Sequence, residues 1–141
     1  MKILIFMLVI ILIILFFITY KHSLTGDVIN GQVTYSLEDK TAGIYQISLD
    51  SEPKLLKEIR ISTGIKNNAE KQALKFTVYI TKDGNVEDIS NFSFELGIER
   101  QTTVTTDFIP NKLGKYEILA KLYDNSGNQI DFRTYDFNVV S

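Results

Sequence analysis

Apolar and polar residues are arranged in two different ways along this chain. Residues 3–18 form an unbroken apolar run, followed by Thr19 and Tyr20, and this stretch contains no charged residue, glycine or proline. After it, apolar and polar residues alternate in short segments separated by turn-forming residues. A continuous apolar run is typical of a membrane-spanning helix, whereas a period of two predicts β-strands. The pattern therefore divides the chain into an anchor and a β-rich part.

The apolar run predicts a transmembrane signal anchor at residues 1–20. As a helix that rises about 1.5 Å per residue, the run would extend roughly 27 Å, close to the hydrocarbon thickness of a bilayer. A cleaved signal peptide has a shorter apolar core and a cleavage site of small residues, and residues 21–26 contain no Ala-x-Ala pattern. We therefore expect the anchor to be retained, with the lipid bilayer as its partner.

Residues 21–27 predict a short juxtamembrane linker, which would hold the domain at residues 28–141 close to the membrane. One lysine precedes the apolar run, and a lysine and a histidine follow it, so the distribution of positive charge does not set the orientation. A short N-terminal tail before a β domain is common in signal-anchored proteins that face outward. The possible N-glycosylation acceptor Asn91, in Asn91-Phe92-Ser93, fits that side. We expect a single-pass protein of the cytoplasmic membrane with an extracytoplasmic domain.

The alternating segments predict seven or eight short strands and no amphipathic helix of any length. Gly64 with Asn67-Asn68 is predicted to break one strand, and Asp83-Gly84 is predicted to form a tight turn. In the last segment the alternation slips between Phe132 and Tyr135, which predicts a bulge or a twist. The predicted strands lie at residues 28–37, 43–49, 57–66, 74–80, 92–96, 102–109, 116–122 and 130–140.

Strands of this length, with turn signals between them, predict an all-β fold, an immunoglobulin-like antiparallel β-sandwich. From residue 58 to residue 140 the chain resembles the immunoglobulin-like or fibronectin-III-like modules of prokaryotic cell-surface proteins, in particular those of the CARDB type. The resemblance is carried by four segments, of which the last, with a proline turn, a glycine and Tyr116-x-Ile118, is the most suggestive. The segments are residues 59–67, residues 75–84, residues 96–97 with 102–105, and residues 108–118.

The resemblance implies a fold and a function in binding or spacing other proteins, and it carries over no catalytic residue. The chain differs from immunoglobulin domains proper because it contains no cysteine pair and no tryptophan. A composition rich in lysine, isoleucine and asparagine, without cysteine or tryptophan, leads us to expect a prokaryotic, archaeal source.

Charge and residue types argue against several classes of function. With 15 basic and 17 acidic residues scattered along it, the chain does not predict a nucleic-acid surface. The one histidine, His22, follows the predicted anchor, and there is no cysteine for a zinc site or a nucleophile. Residues 124–128 with Asp131 resemble a calcium loop, but the glycine is misplaced and we predict a hairpin turn. We expect no enzyme, no cofactor and no metal.

Two groups of residues are candidate binding surfaces. Tyr79, Tyr123 and Phe132 are predicted to form an outward aromatic patch. Thr102, Thr103, Thr105 and Thr106 are polar and β-branched, which suits an exposed edge strand that could receive a strand from a partner.

These inferences predict a membrane-anchored module that binds other envelope or membrane proteins, or has a structural role, in a cell-envelope assembly. Two alternatives stay open. The protein could be an accessory subunit of a multi-subunit membrane enzyme or transport complex, with its helix packed in a bundle. It could instead be a carbohydrate-binding surface module, which requires an exposed aromatic platform. The identity of the partner and the oligomeric state do not follow from the sequence.

Overall fold

The computed structural model describes residues 27–29, 31–38 and 40–141. The predicted anchor at residues 1–20, the linker before Asp27 and His22 lie outside the described residues. A search of the described ranges for a helix long and apolar enough to cross a bilayer finds none. The strands in these ranges are β1 (Asp27–Ile29), β2 (Gln32–Thr34), β3 (Ala42–Leu49), β4 (Ile59–Asn67), β5 (Gln72–Lys82), β6 (Asn85–Leu96), β7 (Gln101–Phe108), β8 (Gly114–Tyr123) and β9 (Gln129–Val139).

The strands form two antiparallel sheets, a five-stranded one in the order β1-β2-β3-β4-β7 and a four-stranded one in the order β6-β5-β8-β9. This confirms the predicted all-β, two-sheet architecture. The single strand predicted at residues 28–37 is wrong in one respect, because the chain reverses at Gly31 and pairs β1 with β2. Gly31 adopts φ 74°, a left-handed conformation that suits glycine.

The core lies between the two sheets and is built from their inner faces. β5 alternates as predicted, with Leu74, Phe76, Val78 and Ile80 buried on one side. Burial of a large aliphatic or aromatic side chain stabilises a fold by about 1.5–3 kcal/mol. The fully buried members of the core include Ile44, Ile47, Ile59, Ile61, Ile65, Leu74, Phe76, Val78, Ile80, Tyr116, Ile118 and Leu122.

The turn between β5 and β6 confirms the predicted role of Asp83-Gly84. The two residues adopt φ 51° and φ 78°, so both central positions of this two-residue loop are left-handed. That combination defines the turn whose twist matches the strands it joins, and it favours Asp-Gly. The turn aligns β5 with β6 from Lys82 and Asn85 onward.

Gly64 does not break its strand, contrary to the prediction. β4 continues through Gly64 to Asn67, and the ring of Tyr45 from β3 lies directly over the glycine. A Cβ atom at position 64 would lie 2.5 Å from Tyr45 Cζ, so only glycine leaves space for the ring. β3 has a bulge between Ile44 and Gln46, at Tyr45, which directs this ring outward over its neighbour.

Tyr116 fixes the connection between β7 and β8. Its hydroxyl donates a hydrogen bond to Lys112 O and accepts one from Lys112 N, each at 3.2 Å. The ring is buried and stacks on Phe137 with ring centroids 5.4 Å apart. A tyrosine at the start of this strand that bonds back to the backbone upstream is a hallmark of immunoglobulin-like sandwiches. These bonds account for the tyrosine of the pattern noted in the sequence, and Gly114 before it adopts φ 103°, a conformation that favours glycine.

The predicted phase slip in the last strand is wrong. β9 alternates without interruption, and Asp131, Arg133, Tyr135, Phe137 and Val139 all lie on the buried side. A bulge does occur, but at Ile130, where the pairing with β8 shifts. The alternation seemed to slip because two charged residues occupy core positions of the strand.

Asp131 is buried with a set of partners that stabilise its charge. Its Oδ2 atom accepts a hydrogen bond from Ile44 N at 2.8 Å, and Arg133 Nε lies 3.2 Å away. Lys40 Nζ lies 3.1 Å from Oδ1, which also accepts a hydrogen bond from Phe132 N. A buried carboxylate requires such partners, since its desolvation is otherwise strongly unfavourable.

Arg133 joins β9 to the segment that follows β2. Its Nη2 atom donates to Ser36 O at 2.9 Å, and the guanidinium lies 5.0 Å from the centroid of the Tyr35 ring. The Tyr35 hydroxyl donates to Thr134 O at 2.7 Å, and burial raises the pKa of Tyr35 above its ordinary value. These contacts attach the N-terminal hairpin of the described chain to the opposite sheet.

Candidate binding surfaces

The outer face of the four-stranded sheet carries a cluster centred on Lys121. The register places Asn91, Thr77, Lys121 and Phe132 in one row across β6, β5, β8 and β9. Lys121 Nζ lies 5.1 Å from the centroid of the Tyr79 ring and 5.9 Å from that of Phe132. The ammonium group is therefore held between two half-buried aromatic rings.

The adjacent row extends this cluster with apolar side chains. Ile89, Tyr79 and Leu119 are direct cross-strand neighbours, and Ile89 is 49% exposed. We call the surface formed by Tyr79, Ile89, Leu119, Lys121 and Phe132 the Lys121 patch. Apolar side chains around a fixed cation form a surface that can contact both an apolar group and a carboxylate.

Two of the three aromatic residues predicted from the sequence belong to the Lys121 patch. Tyr79 and Phe132 meet around the lysine, whereas Tyr123 lies one row further along β8, opposite Lys75. All three are half-buried. Sequence reasoning missed Lys121, Ile89 and Leu119, because only the register of the strands shows that they adjoin the predicted rings.

Lys121 changes what the two rings can bind. The Lys121 ammonium group lies over both rings. Stacking of a sugar needs an open ring face, and the ammonium group occupies part of this space. The rings instead position the ammonium group and add apolar area around it.

Asn91 lies on β6 at the border of the Lys121 patch. The residue is exposed, and its Oδ1 atom accepts a hydrogen bond from Thr77 Oγ1 at 2.8 Å. Its glycosylation stays a prediction.

The four predicted edge threonines lie on β7, at one edge of the five-stranded sheet. Thr103 and Thr105 are exposed, and Thr102 is half-buried. Thr106 is only 6% exposed, and its hydroxyl has no hydrogen-bond partner within the described part of the chain. The threonines thus alternate between the outer face and the core side. Binding of a partner strand at this edge stays a prediction.

The turn at residues 124–128 has the predicted hairpin geometry and joins β8 to β9. The Asp124 carboxylate accepts hydrogen bonds from Ser126 N, Asn128 N and Asn128 Nδ2 at 2.9–3.0 Å. These bonds, with that of the Asn128 amide first, lower the pKa of Asp124 below its usual range. The carboxylate oxygens are therefore engaged in holding the turn.

A cleft of about 410 Å³ lies between the β3–β4 connection and the end of β9 and includes Asp50, Glu52 and Tyr135. The Asp50 carboxylate accepts a hydrogen bond from Arg60 N at 2.9 Å, which lowers the pKa of Asp50. Residues 31–38 and 40–141 contain no group of three or more histidine, aspartate or glutamate side chains placed to hold a metal ion.

Several solved structures share this fold. The CARDB domain of a Pyrococcus furiosus protein matches with a TM-score of 0.57 and 22% identity, over 77% of this chain and 93% of that domain. A Bacteroides uniformis β-glucuronidase matches with a TM-score of 0.59 and 15% identity, over 68% of this chain but 14% of the enzyme. A Pseudomonas fluorescens alkylpurine DNA glycosylase matches with a TM-score of 0.54 and 15% identity, over 72% of this chain and 31% of that protein.

At these identities the likeness shows the fold alone, an immunoglobulin-like β-sandwich of the kind seen in the CARDB domain. No family model and no curated protein matches the chain.

Proposed function

We propose that this protein is a single-pass membrane-anchored module that binds other proteins in a cell-envelope assembly, with its sandwich outside the cytoplasmic membrane. The apolar run at residues 3–18 supports the anchor. The CARDB-like sandwich supports a binding or structural module. The anchor and the sandwich together make a tethered recognition domain.

The observation that carries this proposal is the Lys121 patch. Protein interfaces are enriched in aromatic side chains, and their energetic centres combine buried aromatic residues with fixed charges. Tyr79 and Phe132 hold the Lys121 ammonium group in place, so little side-chain freedom is lost when a partner binds it. The chemistry fits a partner that presents a carboxylate next to apolar side chains.

The test is purification of the full-length protein from its native membranes in a mild detergent, followed by identification of the proteins that stay bound through size exclusion. The wild type is compared with the double substitution Tyr79→Ser and Phe132→Ser. A matched control removes two exposed apolar residues elsewhere, with Ile109→Ser and Leu113→Ser on the β7–β8 connection.

The proposal predicts that a protein partner remains with the wild type and the control but is lost from the patch variant. Recovery of the wild type alone would contradict it. Retention of the partner by the patch variant at wild-type stoichiometry would place the binding surface elsewhere. The protein could instead be recovered in stoichiometric amounts with other integral membrane subunits. If that recovery requires residues 1–20, the protein is an accessory subunit of a membrane complex.

A further inference from the structure

β7 is an edge strand that lacks the usual protection against pairing. Residues 101–106 read Gln-Thr-Thr-Val-Thr-Thr and contain no charge, proline or glycine, and the strand pairs with β4 without a bulge. The one charged residue of β7, Asp107, lies near its end and is ion-paired with Arg60 of β4. Monomeric β proteins protect their edges with charged residues, prolines, bulges or very short strands. The other edges of the described sheets follow that rule. β1 has three residues, β6 contains Glu87, Asp88 and Glu95, and β9 contains Asp131, Arg133 and Asp136 with a bulge.

The backbone groups that face away from the sheet can be assigned. Asn67 N donates to Arg100 O at 2.9 Å, at the start of the β4–β7 ladder. In an antiparallel ladder, hydrogen-bonded pairs recur at every second residue. Thr102, Val104 and Thr106 therefore bond to β4. The N–H and C=O groups of Gln101, Thr103, Thr105 and Asp107 point outward, and no strand in the described ranges pairs with them.

Apolar side chains remain partly uncovered on the same side of the sandwich. β7 packs against β6, the edge strand of the other sheet. Val104 of β7 and Phe92 and Phe94 of β6 contact the core but are only half-buried. A strand added beside β7 would cover this apolar border as well as pair with the free backbone groups.

We propose that β7 is the site at which a second copy of this chain binds, by antiparallel pairing of the two β7 strands about a two-fold axis at Val104. The sequence is palindromic around that residue, as Thr102-Thr103-Val104-Thr105-Thr106. A two-fold axis at Val104 places Thr103 opposite Thr105 of the second copy, and both have outward-facing backbone groups. An isologous interface requires this self-complementarity.

The same register places Gln101 opposite Asp107 of the second copy. Asp107 is exposed and accepts a hydrogen bond from Arg60 Nε of its own chain at 2.8 Å, so this charge is neutralised within each copy. The paired region from residue 101 to residue 107 provides on the order of eight backbone hydrogen bonds. A second copy is favoured over an unrelated strand because the palindrome complements itself.

The first test is the mass of the full-length protein in mild detergent, measured by light scattering after size exclusion. Thr103→Pro with Thr105→Pro removes two N–H groups that face outward and are not used within one copy, so the fold tolerates them at an edge. Thr103→Ser with Thr105→Ser is the matched control, since it keeps the backbone donors. We expect a dimer for the wild type and the serine variant, and a monomer for the proline variant.

A wild type that stays monomeric at every concentration would overturn the proposal. A proline variant that remains folded and dimeric would also overturn it, because the dimer would then be held by another surface, such as the anchor.

The second test does not depend on proline. The chain contains no cysteine, so Val104→Cys introduces a unique thiol at the proposed axis. Residues that face each other in a non-hydrogen-bonded antiparallel pair have Cα atoms about 4.5 Å apart, within the range of a disulfide. Mild oxidation should link two copies of this variant.

Thr103→Cys is the control, because the same residue in the two copies would be offset by two positions along the strands, too far for a disulfide. Equal cross-linking at both positions, or none at Val104, would contradict the proposed register. Neither test involves the Lys121 patch, so their outcome is independent of the function proposed above.

Discussion

Asp131 and Arg133 show how two charged residues can occupy core positions of one strand. They are separated by one residue, so they project to the same side of β9, and both are almost fully buried. The carboxylate accepts a hydrogen bond from Ile44 N and forms an ion pair with Lys40. The guanidinium donates a hydrogen bond to Ser36 O. This pair connects β9 with β3 and with the segment that follows β2.

Asp131→Asn should lower the free energy of unfolding by about 3–5 kcal/mol, because it removes a buried negative charge that lies between Lys40 and Arg133. Asp136→Asn is the matched control on the same strand, where an exposed ion pair with Lys115 would be lost. The control should change stability far less, because solvent screens this exposed pair. Urea denaturation of both variants measures the difference, and equal effects would show that the buried pair has no special role.

The position of the Tyr45 ring depends on the absence of a side chain at Gly64. Gly64→Ala should lower the free energy of unfolding by about 1–3 kcal/mol, because the added methyl group displaces the Tyr45 ring. The same substitution in a Tyr45→Ala background should have a smaller effect, since the obstructing ring is absent. Thermal unfolding of the two single variants and the double variant measures this coupling. Additive effects would contradict the contact.

At the scale of the strands, local signals predicted some elements and failed for others. β5 and the Asp83-Gly84 turn depend on alternation and backbone conformation within a few residues, so the sequence is sufficient for both. The role of Gly64 depends on its contact with β3. The burial of the charged residues in β9 depends on contacts with β3 and with the β2–β3 connection, which are distant in sequence. The Lys121 patch was predicted only in part, since its members come from four strands whose register the sequence does not specify.

The β8–β9 hairpin should respond to acid through Asp124. Its folded pKa lies below the ordinary value, so its hydrogen bonds stabilise the fold above about pH 4 and are lost as the pH falls through the lower, folded pKa. Asp124→Asn should therefore be less stable than the wild type near neutral pH, and the difference should shrink below about pH 4. Urea midpoints of both proteins from neutral to acidic pH measure this. A difference that is constant with pH would contradict the assignment.

At the scale of the whole molecule, the anchor and the sandwich have separate roles in the proposed function. Arginine at the centre of a spanning helix opposes insertion by about 2.5–3.5 kcal/mol per residue. Ile11→Arg with Ile13→Arg should therefore shift the protein out of the alkali-resistant membrane fraction. Ser23→Arg with Thr25→Arg, in the predicted linker, is the matched control and should leave the protein in the membrane. If the Ile11 and Ile13 variant is retained like the control, the anchor prediction is wrong.

The two proposals assign recognition to the Lys121 patch and self-association to the β7 edge, on two different surfaces of one sandwich. A partner bound at the outer face of the four-stranded sheet leaves β7 free, because that strand lies at the edge of the other sheet. The arrangement would present two recognition faces in each dimer.

The most direct test of the central claim is photocross-linking in intact native membranes, with a benzophenone side chain in place of Ile89 in the full-length protein. Ile89 is exposed within the Lys121 patch, and Ile98, 62% exposed in the β6–β7 connection, is the matched control position. A tethered protein-binding module predicts a discrete protein adduct from Ile89 and not from Ile98. No protein adduct at Ile89, or the same adducts from both positions, would contradict it.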